Sequence, residues 1–161
     1  MKKIHFMVGL CLMKSAIAFA DLPPPCPTPD EFKNNKVNSV INRGDVSSPA
    51  WSVTSPAFSG GIFTNGIRID LYDYNLDTPS ALTRAQTLQQ EVTTVVETKV
   101  YHGGDPSNGY FWMCRYDTKD KTVLATGDDF FVLSPWFNPD GTASKTDNTA
   151  EKYALVHAYK K

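Results

Sequence analysis

Short segments rich in β-branched and aromatic residues dominate the second half of this chain, and turn-forming residues separate them. The segments are VTTVVETKVY (92–101), YFWMCRY (110–116), TVLAT (122–126), FFVLSPWF (130–137) and YALVHAY (153–159). Short strands at intervals of about 8 to 12 residues are typical of an all-β sandwich or barrel. We therefore expect a mainly β protein, a single-domain antiparallel β-sandwich or barrel with one or two short helices and one disulfide.

Alternation within the strands assigns side chains to opposite faces of a sheet. Residues 110–116 place Tyr110, Trp112, Cys114 and Tyr116 on one face, and Phe111 and Met113 on the other. Because both sets are apolar, we expect this strand to be covered on both sides. Residues 67–72 alternate in the same way, with Ile67, Ile69 and Leu71 opposed to Arg68, Asp70 and Tyr72. Asn65-Gly66 before them predicts a two-residue hairpin turn.

Helix signals occur at two places. Thr28-Pro29-Asp30-Glu31 predicts the start of a short helix that ends near Asn34-Asn35, because proline and acidic residues are favoured in a first turn. Residues 79–91 are either a longer helix with Leu82, Ala85 and Leu88 on one face, or an edge strand followed by a loop. Residues 38–60 are rich in Ser, Asn, Pro and Gly, so we expect a loop there with one short strand at 51–54.

The first 20 residues have the pattern of a bacterial export signal. Lys2 and Lys3 precede an apolar stretch over 4–13, and Ala18-Phe19-Ala20 is a small-x-small cleavage site. Lys14 interrupts the stretch, which is too short for a membrane anchor. We expect a cleaved signal (1–20), a proline-rich arm (21–29) and one β-rich domain (30–161), in a protein that is periplasmic or secreted.

Two cysteines remain after the signal is removed, because Cys11 lies within it. In an oxidising compartment Cys26 and Cys114 are expected to form one intramolecular disulfide. Two free thiols or an intermolecular pair are the alternatives. No CxxC motif accompanies them, which favours a structural bridge over a redox-active one.

Charge and motifs exclude several classes of function. The signal contains three lysines and no acid, so the remainder has 13 basic and 17 acidic residues, a net charge of −4. This balance argues against nucleic acid or an anionic membrane as the partner. No apolar run of 18 residues follows the signal, so we expect no membrane span. Motifs of hydrolases, phosphate-binding loops and metal-spaced Cys/His sets are absent from the sequence, and we expect no cofactor.

Aromatic and acidic residues near predicted strand ends are the remaining functional signal. The ligand-binding candidates are Trp51, Tyr72, Tyr74, Trp136, Phe137, Asp70 and Asp73. Exposed rings stack on the C–H faces of sugars while acids accept hydrogen bonds from hydroxyls, and rings are equally favoured in protein interfaces. The alternative is that these rings belong to the core. We predict an exported, non-enzymatic and monomeric binding protein whose partner is a glycan or a protein.

Other functions stay open at this point. A small extracytoplasmic hydrolase would use paired carboxylates, for which Asp70, Asp73 and Asp128 are candidates. A periplasmic inhibitor or partner of an envelope protein would form a stoichiometric complex and have no affinity for sugars. Loop oxygens around Asp70, Asp73 and Asp77 would suit calcium, although the Asp-x-Asp-x-Asp-Gly series is absent.

Short motifs surround both cysteines. Cys26-Pro27-x-Pro29 follows the signal closely, and Cys114-x-Tyr116 stands in a late aromatic strand. Over residues 25–135 this arrangement resembles a family of small exported gammaproteobacterial proteins, domain of unknown function 3757, whereas 138–161 lie outside the pattern. The resemblance implies a periplasmic or secreted single domain and, in some pathogens, type II secretion of an effector or virulence factor. It brings no activity and no catalytic residues.

Overall fold

The computed structural model of the protein describes residues 23–43, 49–58, 61–102, 109–119 and 127–145. Within these ranges the chain forms two helices, α1 (Pro29–Asn34) and α2 (Thr78–Glu91). It also forms six strands: β1 (Ser39–Asn42), β2 (Trp51–Thr54), β3 (Ile67–Leu71), β4 (Val92–His102), β5 (Tyr110–Thr118) and β6 (Asp129–Leu133). The predicted export signal and the predicted strands at 122–126 and 153–159 lie outside the described residues.

The six described strands lie in one antiparallel sheet with the order β1-β2-β3-β6-β5-β4. Among the described elements, the two helices supply the layer that packs on one face of this sheet. The mainly β, antiparallel fold with two helices and a Cys26–Cys114 disulfide is thereby confirmed. Two meanders, β1–β3 and β4–β6, are joined where β3 pairs with β6, with Ile69 opposite Phe130.

The face of the sheet that meets the helices, here the helical face, is apolar. Its residues lie side by side across the strands, for example Val53 beside Ile69. Phe32 of α1 packs on Tyr116 of β5 with ring centroids 4.4 Å apart, and Ala85 of α2 is fully buried in the same cluster. Removal of this apolar surface from water is the main stabilising contribution to the fold.

The opposite face, here the second face, is buried as well. Its apolar cluster consists of Tyr101, Phe111, Met113, Phe131, Leu133 and Trp136. Phe111 and Met113 are buried on this face, whereas Cys114 and Tyr116 are buried on the helical face. The expectation that this strand is covered on both sides is therefore confirmed.

The start of α1 follows the sequence signal closely. The Thr28 hydroxyl accepts a hydrogen bond from the backbone N–H of Glu31 at 3.2 Å, and the Glu31 carboxylate accepts one from the backbone N–H of Thr28 at 2.7 Å. This reciprocal capping satisfies two N–H groups that the first turn leaves without helical partners. Pro29 occupies the first helical turn, and the helix ends at Asn34 as predicted.

The helical alternative for residues 79–91 is confirmed by α2. Its buried residues are Ala81, Ala85, Leu88 and Gln89, so the buried stripe differs slightly from the predicted one because Leu82 is only partly buried. Gln89 is buried because its amide donates to the carbonyls of Phe32 and Asn35 at 2.7 and 3.0 Å, which closes the end of α1. No helix in the described ranges is long and apolar enough to cross a membrane.

The structure differs from the sequence-based expectations at β1 and in the loop between β2 and β3. Residues 39–42 form strand β1 at the edge of the sheet, with Val40 opposite Val53, in a region that was expected to be loop. The strand has four residues, and its serine and asparagine ends favour a loop when the sequence is considered alone. Asn65-Gly66 does not form a two-residue hairpin, because residues 55–66 connect β2 to β3. Gly66 instead has a φ of 75° inside this longer loop.

The proline-rich arm is fixed to the sheet beside the disulfide. Cys26 bonds to Cys114 of β5 across 88 positions of sequence. The Cys26 Sγ atom lies 3.0 Å from the Thr98 hydroxyl, and the Tyr116 hydroxyl donates to the Pro27 carbonyl at 2.7 Å. These contacts attach the arm to both β4 and β5 and position α1 over Tyr116.

Candidate functional site

The structure divides the predicted site residues between the two ends of the sheet. Because β3 and β6 are antiparallel neighbours, the chain that follows Leu71 lies at one end and the chain that follows Leu133 at the other. The first end holds Trp51, Asp70, Tyr72, Asp73 and Tyr74, and the second end holds Trp136 and Phe137. No single surface therefore contains all of the predicted residues.

Two of the predicted surface rings are buried. Trp51 is 4% exposed on the helical face, and Trp136 is 1% exposed on the second face. The Trp136 ring packs on Phe111 with centroids 5.6 Å apart, and the Trp51 indole N–H donates to the Asp73 carbonyl at 3.2 Å. The prediction that these two rings are exposed is wrong, because each ring completes an apolar cluster that draws members from several elements of the fold.

Phe137 packs in an aromatic corner at the second end. It exchanges backbone hydrogen bonds of 2.8 and 2.7 Å with Tyr110, and the two rings stack with centroids 5.5 Å apart. Gly109 precedes this pair with a φ of 96°, and a Cβ atom there would overlap the Phe137 carbonyl oxygen. Glycine is thus required for the close approach of the two segments, and Phe137 is half-buried.

Asp70 is 1% exposed and acts within the second face. Its carboxylate accepts hydrogen bonds from the Ser52 hydroxyl at 2.6 Å and from the Arg68 guanidinium at 2.8 and 3.0 Å. Arg43 extends this network by donating to the Ser52 hydroxyl at 2.8 Å. Since a buried carboxylate is costly without such partners, the role of Asp70 is structural.

Tyr72 is half-buried beside the Asp70 network. Burial, followed by the nearby charge of Asp70, raises the pKa of Tyr72 to about 12. The phenol is therefore neutral at physiological pH. The backbone N–H of Tyr72 donates to the carboxylate of Asp128 at 3.0 Å, which fixes the chain as it leaves β3.

Tyr74 lines an open groove at the first end of the sheet. The Tyr74 side chain is 47% exposed, and the groove has a volume of about 470 Å³. Its lining residues are Asn42, Ala50, Trp51, Tyr74, Leu76, Asp77 and Thr78. They belong to the end of β1, the start of β2 and the loop that leads into α2. This Tyr74 groove combines a ring with carboxylate, hydroxyl and amide groups, a set that suits a polar organic ligand.

Arg84 of α2 anchors the loop that carries Tyr74. Its Nη1 atom lies 3.4 Å from Asp73 Oδ2, and its Nη2 atom lies 2.8 Å from Asp128 Oδ2. The other oxygen of Asp73 accepts the backbone N–H of Asn75 at 3.0 Å. The residues on both sides of Tyr74 are thus held in place by side-chain hydrogen bonds.

Asp77 is both the N-cap of α2 and a lining residue of the Tyr74 groove. Its Oδ1 atom accepts the backbone N–H of Ser80 at 2.8 Å. Hydrogen bonding to Ser80 lowers the pKa of Asp77, so this exposed carboxylate is ionised at neutral pH. The groove therefore has a fixed negative charge on its wall.

The carboxylates considered for hydrolysis do not meet in an open cleft. The side chain of Asp128 has no exposed surface, that of Asp70 is 2% exposed, and Asp73 is bound to Arg84. The acids considered for calcium, Asp70, Asp73 and Asp77, bind separate donors. Within the described part of the chain, no group of three or more His, Cys, Asp or Glu side chains is placed to hold a metal ion.

Sequence reasoning missed part of the groove. The helix-start signal Asp77-Thr78-Pro79 is visible in the sequence and could have placed two polar side chains beside Tyr74. Asn42 could not be found in this way, because its position depends on the pairing of β1 with β2.

No protein-family model, no curated protein and no solved structure matches this chain. The functional conclusion therefore rests on the groove and its chemistry.

Proposed function

We propose that this chain is an exported bacterial binding protein that recognises a glycan in the Tyr74 groove without reacting with it. The observation that carries the proposal is the 47% exposed ring of Tyr74 in one groove with Asn42, Asp77 and Thr78. The ring offers a face for the C–H groups of a pyranose, and the polar side chains can bond to its hydroxyls. Ligand sites commonly combine apolar surface with a few placed polar groups.

The fixed position of the groove wall supports binding. Arg84 holds Asp73 through its side chain, and the Trp51 indole holds the Asp73 carbonyl. A ring that is already positioned loses less conformational freedom when a ligand binds, and this favours affinity. Tyr74 follows directly in sequence and benefits from both contacts.

The acids near the groove are already buried or bound to other protein groups, and this supports binding over hydrolysis. A glycosidase needs two carboxyl groups about 5 to 10 Å apart on either side of the scissile bond. Asp128 has no exposed side-chain surface, and Asp73 is shared with Arg84. Asp77 is the remaining carboxylate among the described residues that line the groove.

Export is part of the proposal and is supported by two features. The first 20 residues have the composition of a cleaved signal, and a structural disulfide persists in an oxidising compartment. Membership of the small exported family named above, and secretion beyond the periplasm, stay predictions.

The proposal is tested by screening the oxidised, signal-free protein on a glycan array and measuring the dissociation constant of any hit by calorimetry. We expect Tyr74→Ala to weaken binding roughly tenfold or more, as removal of a central aromatic contact does. Tyr74→Phe keeps the ring and is expected to retain most of the affinity. Both variants should melt close to the wild type because nearly half of Tyr74 is exposed and the residue is not part of the apolar clusters.

Val96→Ala is the matched control, since Val96 is 57% exposed on β4, outside the groove. It should leave glycan binding unchanged. A glycan hit that is unaffected by Tyr74→Ala would contradict the groove as the site. An empty array together with one co-purifying protein would replace the proposal with the inhibitor or partner function.

A further inference from the structure

Among its described lining residues, the Tyr74 groove has charge of one sign. Asp77 is the one ionised residue among these seven, and no lysine or arginine is among them. Behind the wall, Asp73 and Asp128 share the single guanidinium of Arg84, so this group of three has a net negative charge. The chain after the signal also has a net charge of −4.

The start of α2 does not reverse this sign. A helix N-terminus has a partial positive charge of about half a unit, but the full charge of Asp77 stands at that position as the N-cap. Its carboxylate accepts hydrogen bonds from the backbone N–H and the side chain of Ser80. The Asp77 side chain is nevertheless exposed and lines the groove, so its charge is accessible to a ligand.

The Tyr74 ring adds to the preference for positive charge. The face of an aromatic ring is negative and attracts an ammonium group. Tyr74 and Asp77 line the same groove and are both exposed. An ammonium group is the ligand feature that can use both of them.

We infer that the Tyr74 groove selects a glycan with protonated amino groups, such as a glucosamine polymer, over neutral or anionic glycans. This inference rests on the proposed glycan-binding function and names the class of its ligand. An anionic sugar would face Asp77 with no basic lining residue to offset the repulsion. An N-acetylated sugar would keep the ring contact but lose the charge.

The test compares two probes that differ only in N-acetylation: a glucosamine oligomer and the N-acetylglucosamine oligomer of the same length. We expect the wild type to bind the free amine about five- to tenfold more tightly at low salt, since an exposed charge pair and a cation–π contact each contribute modestly to binding. The preference should decrease as salt is added, because screening weakens exposed charges.

Asp77→Asn is the informative variant. Asparagine caps a helix about as well as aspartate, so α2 should keep its stability while the groove loses its charge. The preference for the free amine should fall to about twofold or less, because asparagine keeps a hydrogen-bonding group at this position but has no charge. Asp77→Glu, which keeps the charge, should keep most of the preference.

The outcomes separate the two proposals. Equal binding of both oligomers, or a preference that survives in Asp77→Asn, would overturn the ligand class while Tyr74-dependent binding upholds the proposed function. Tighter binding of an anionic glycan would also overturn the ligand class. Failure of every glycan to bind would overturn both.

Discussion

The Nη2 atom of Arg84 lies 2.8 Å from Oδ2 of Asp128, a carboxylate with no exposed side-chain surface. This ion pair connects the middle of α2 with the residue that precedes β6. It is also adjacent to the functional site, because the same guanidinium contacts Asp73 beside Tyr74. One arginine thus contributes both to the stability of the fold and to the position of the groove wall.

Replacing Arg84 by methionine should reduce stability and glycan binding together. The substitution leaves the buried Asp128 carboxylate without its cation, and we expect a loss of about 2 to 3 kcal/mol because Arg84 is itself partly exposed. Urea denaturation measures this loss. The double variant Arg84→Met with Asp128→Asn should recover part of it, since the unpaired charge is removed. Equal losses in the single and double variants would show that the ion pair is not the cause.

Gln89→Leu should destabilise the protein by about 2 to 4 kcal/mol. Its amide donates to the carbonyls of Phe32 and Asn35 and its oxygen accepts the Val37 N–H at 3.4 Å; the bonds to Phe32 and Val37 are buried and the bond to Asn35 is partly buried. Leucine fills a similar volume but leaves these backbone groups unsatisfied, at about 1 to 3 kcal/mol each before relaxation. Thermal and urea denaturation provide the measurement.

Gln90→Leu is the matched control for that prediction. Gln90 follows Gln89 directly and donates to the Lys33 carbonyl at 3.2 Å from an exposed position. Water can replace this bond, so the change should be within about 0.5 kcal/mol. Similar effects at the two positions would mean that side-chain burial does not decide the cost.

Removal of the disulfide by Cys26→Ala with Cys114→Ala should lower the free energy of unfolding by about 2 to 5 kcal/mol. The bridge closes 88 positions of sequence, for which the chain-entropy account gives about 4 to 5 kcal/mol. Non-reducing peptide mapping checks the pairing, and calorimetry checks the stability. A reductant should lower the melting temperature of the wild type but leave that of the double variant unchanged.

The free energy of unfolding of the wild type should rise relative to that of Asp129→Asn as the pH falls from 7 towards 4. Burial raises the pKa of Asp129, although the Arg115 guanidinium at 2.8 Å opposes this. The folded protein then binds a proton at a higher pH than the unfolded chain, so ionisation above the folded pKa costs stability. Protonation of Asp129 removes this cost as the pH falls from its pKa in the folded protein to its pKa in the unfolded chain, which is about 4.

The comparison with Asp129→Asn isolates this effect from other acids. Hydrogen bonds lower the pKa of Glu31, Asp77 and Asp140, so their contributions are lost as pH falls. They are present in both proteins and cancel in the difference. A difference in melting temperature that is constant across this range would contradict the assignment to Asp129.

Local signals in the sequence predicted the elements that depend on neighbouring residues. Thr28, Pro29 and Glu31 interact within one turn, so the start of α1 was evident. The alternation around Cys114 likewise identified both faces of β5, because the side-chain period of a strand is fixed. The disulfide was expected from the number of cysteines together with the predicted export signal.

Features that depend on distant residues could not be predicted. Trp51 and Trp136 lie near strand ends, a position that suggested exposure, but both are buried in apolar clusters that include residues of other strands. Asp70 is buried because Ser52 lies opposite it on a neighbouring strand, and Arg68 lies two residues away on its own. The groove itself depends on β1, whose short polar sequence gave no signal, so only Tyr74 and the helix start were visible.

The pairing of β3 with β6 has a consequence for the order of folding. Each meander is built from neighbours in sequence, whereas this pair brings Ile67 beside Val132 across more than 60 residues of chain. Closing so long a loop costs entropy that only completed contacts offset, which slows folding. We expect the two meanders to form first and the pairing of β3 with β6 to form last. Arg84 contacts Asp73 beside Tyr74 and also Asp128 beside β6. This support of the groove wall is therefore completed only when the two meanders join, whereas the seven described lining residues all belong to the first meander and the chain that follows it.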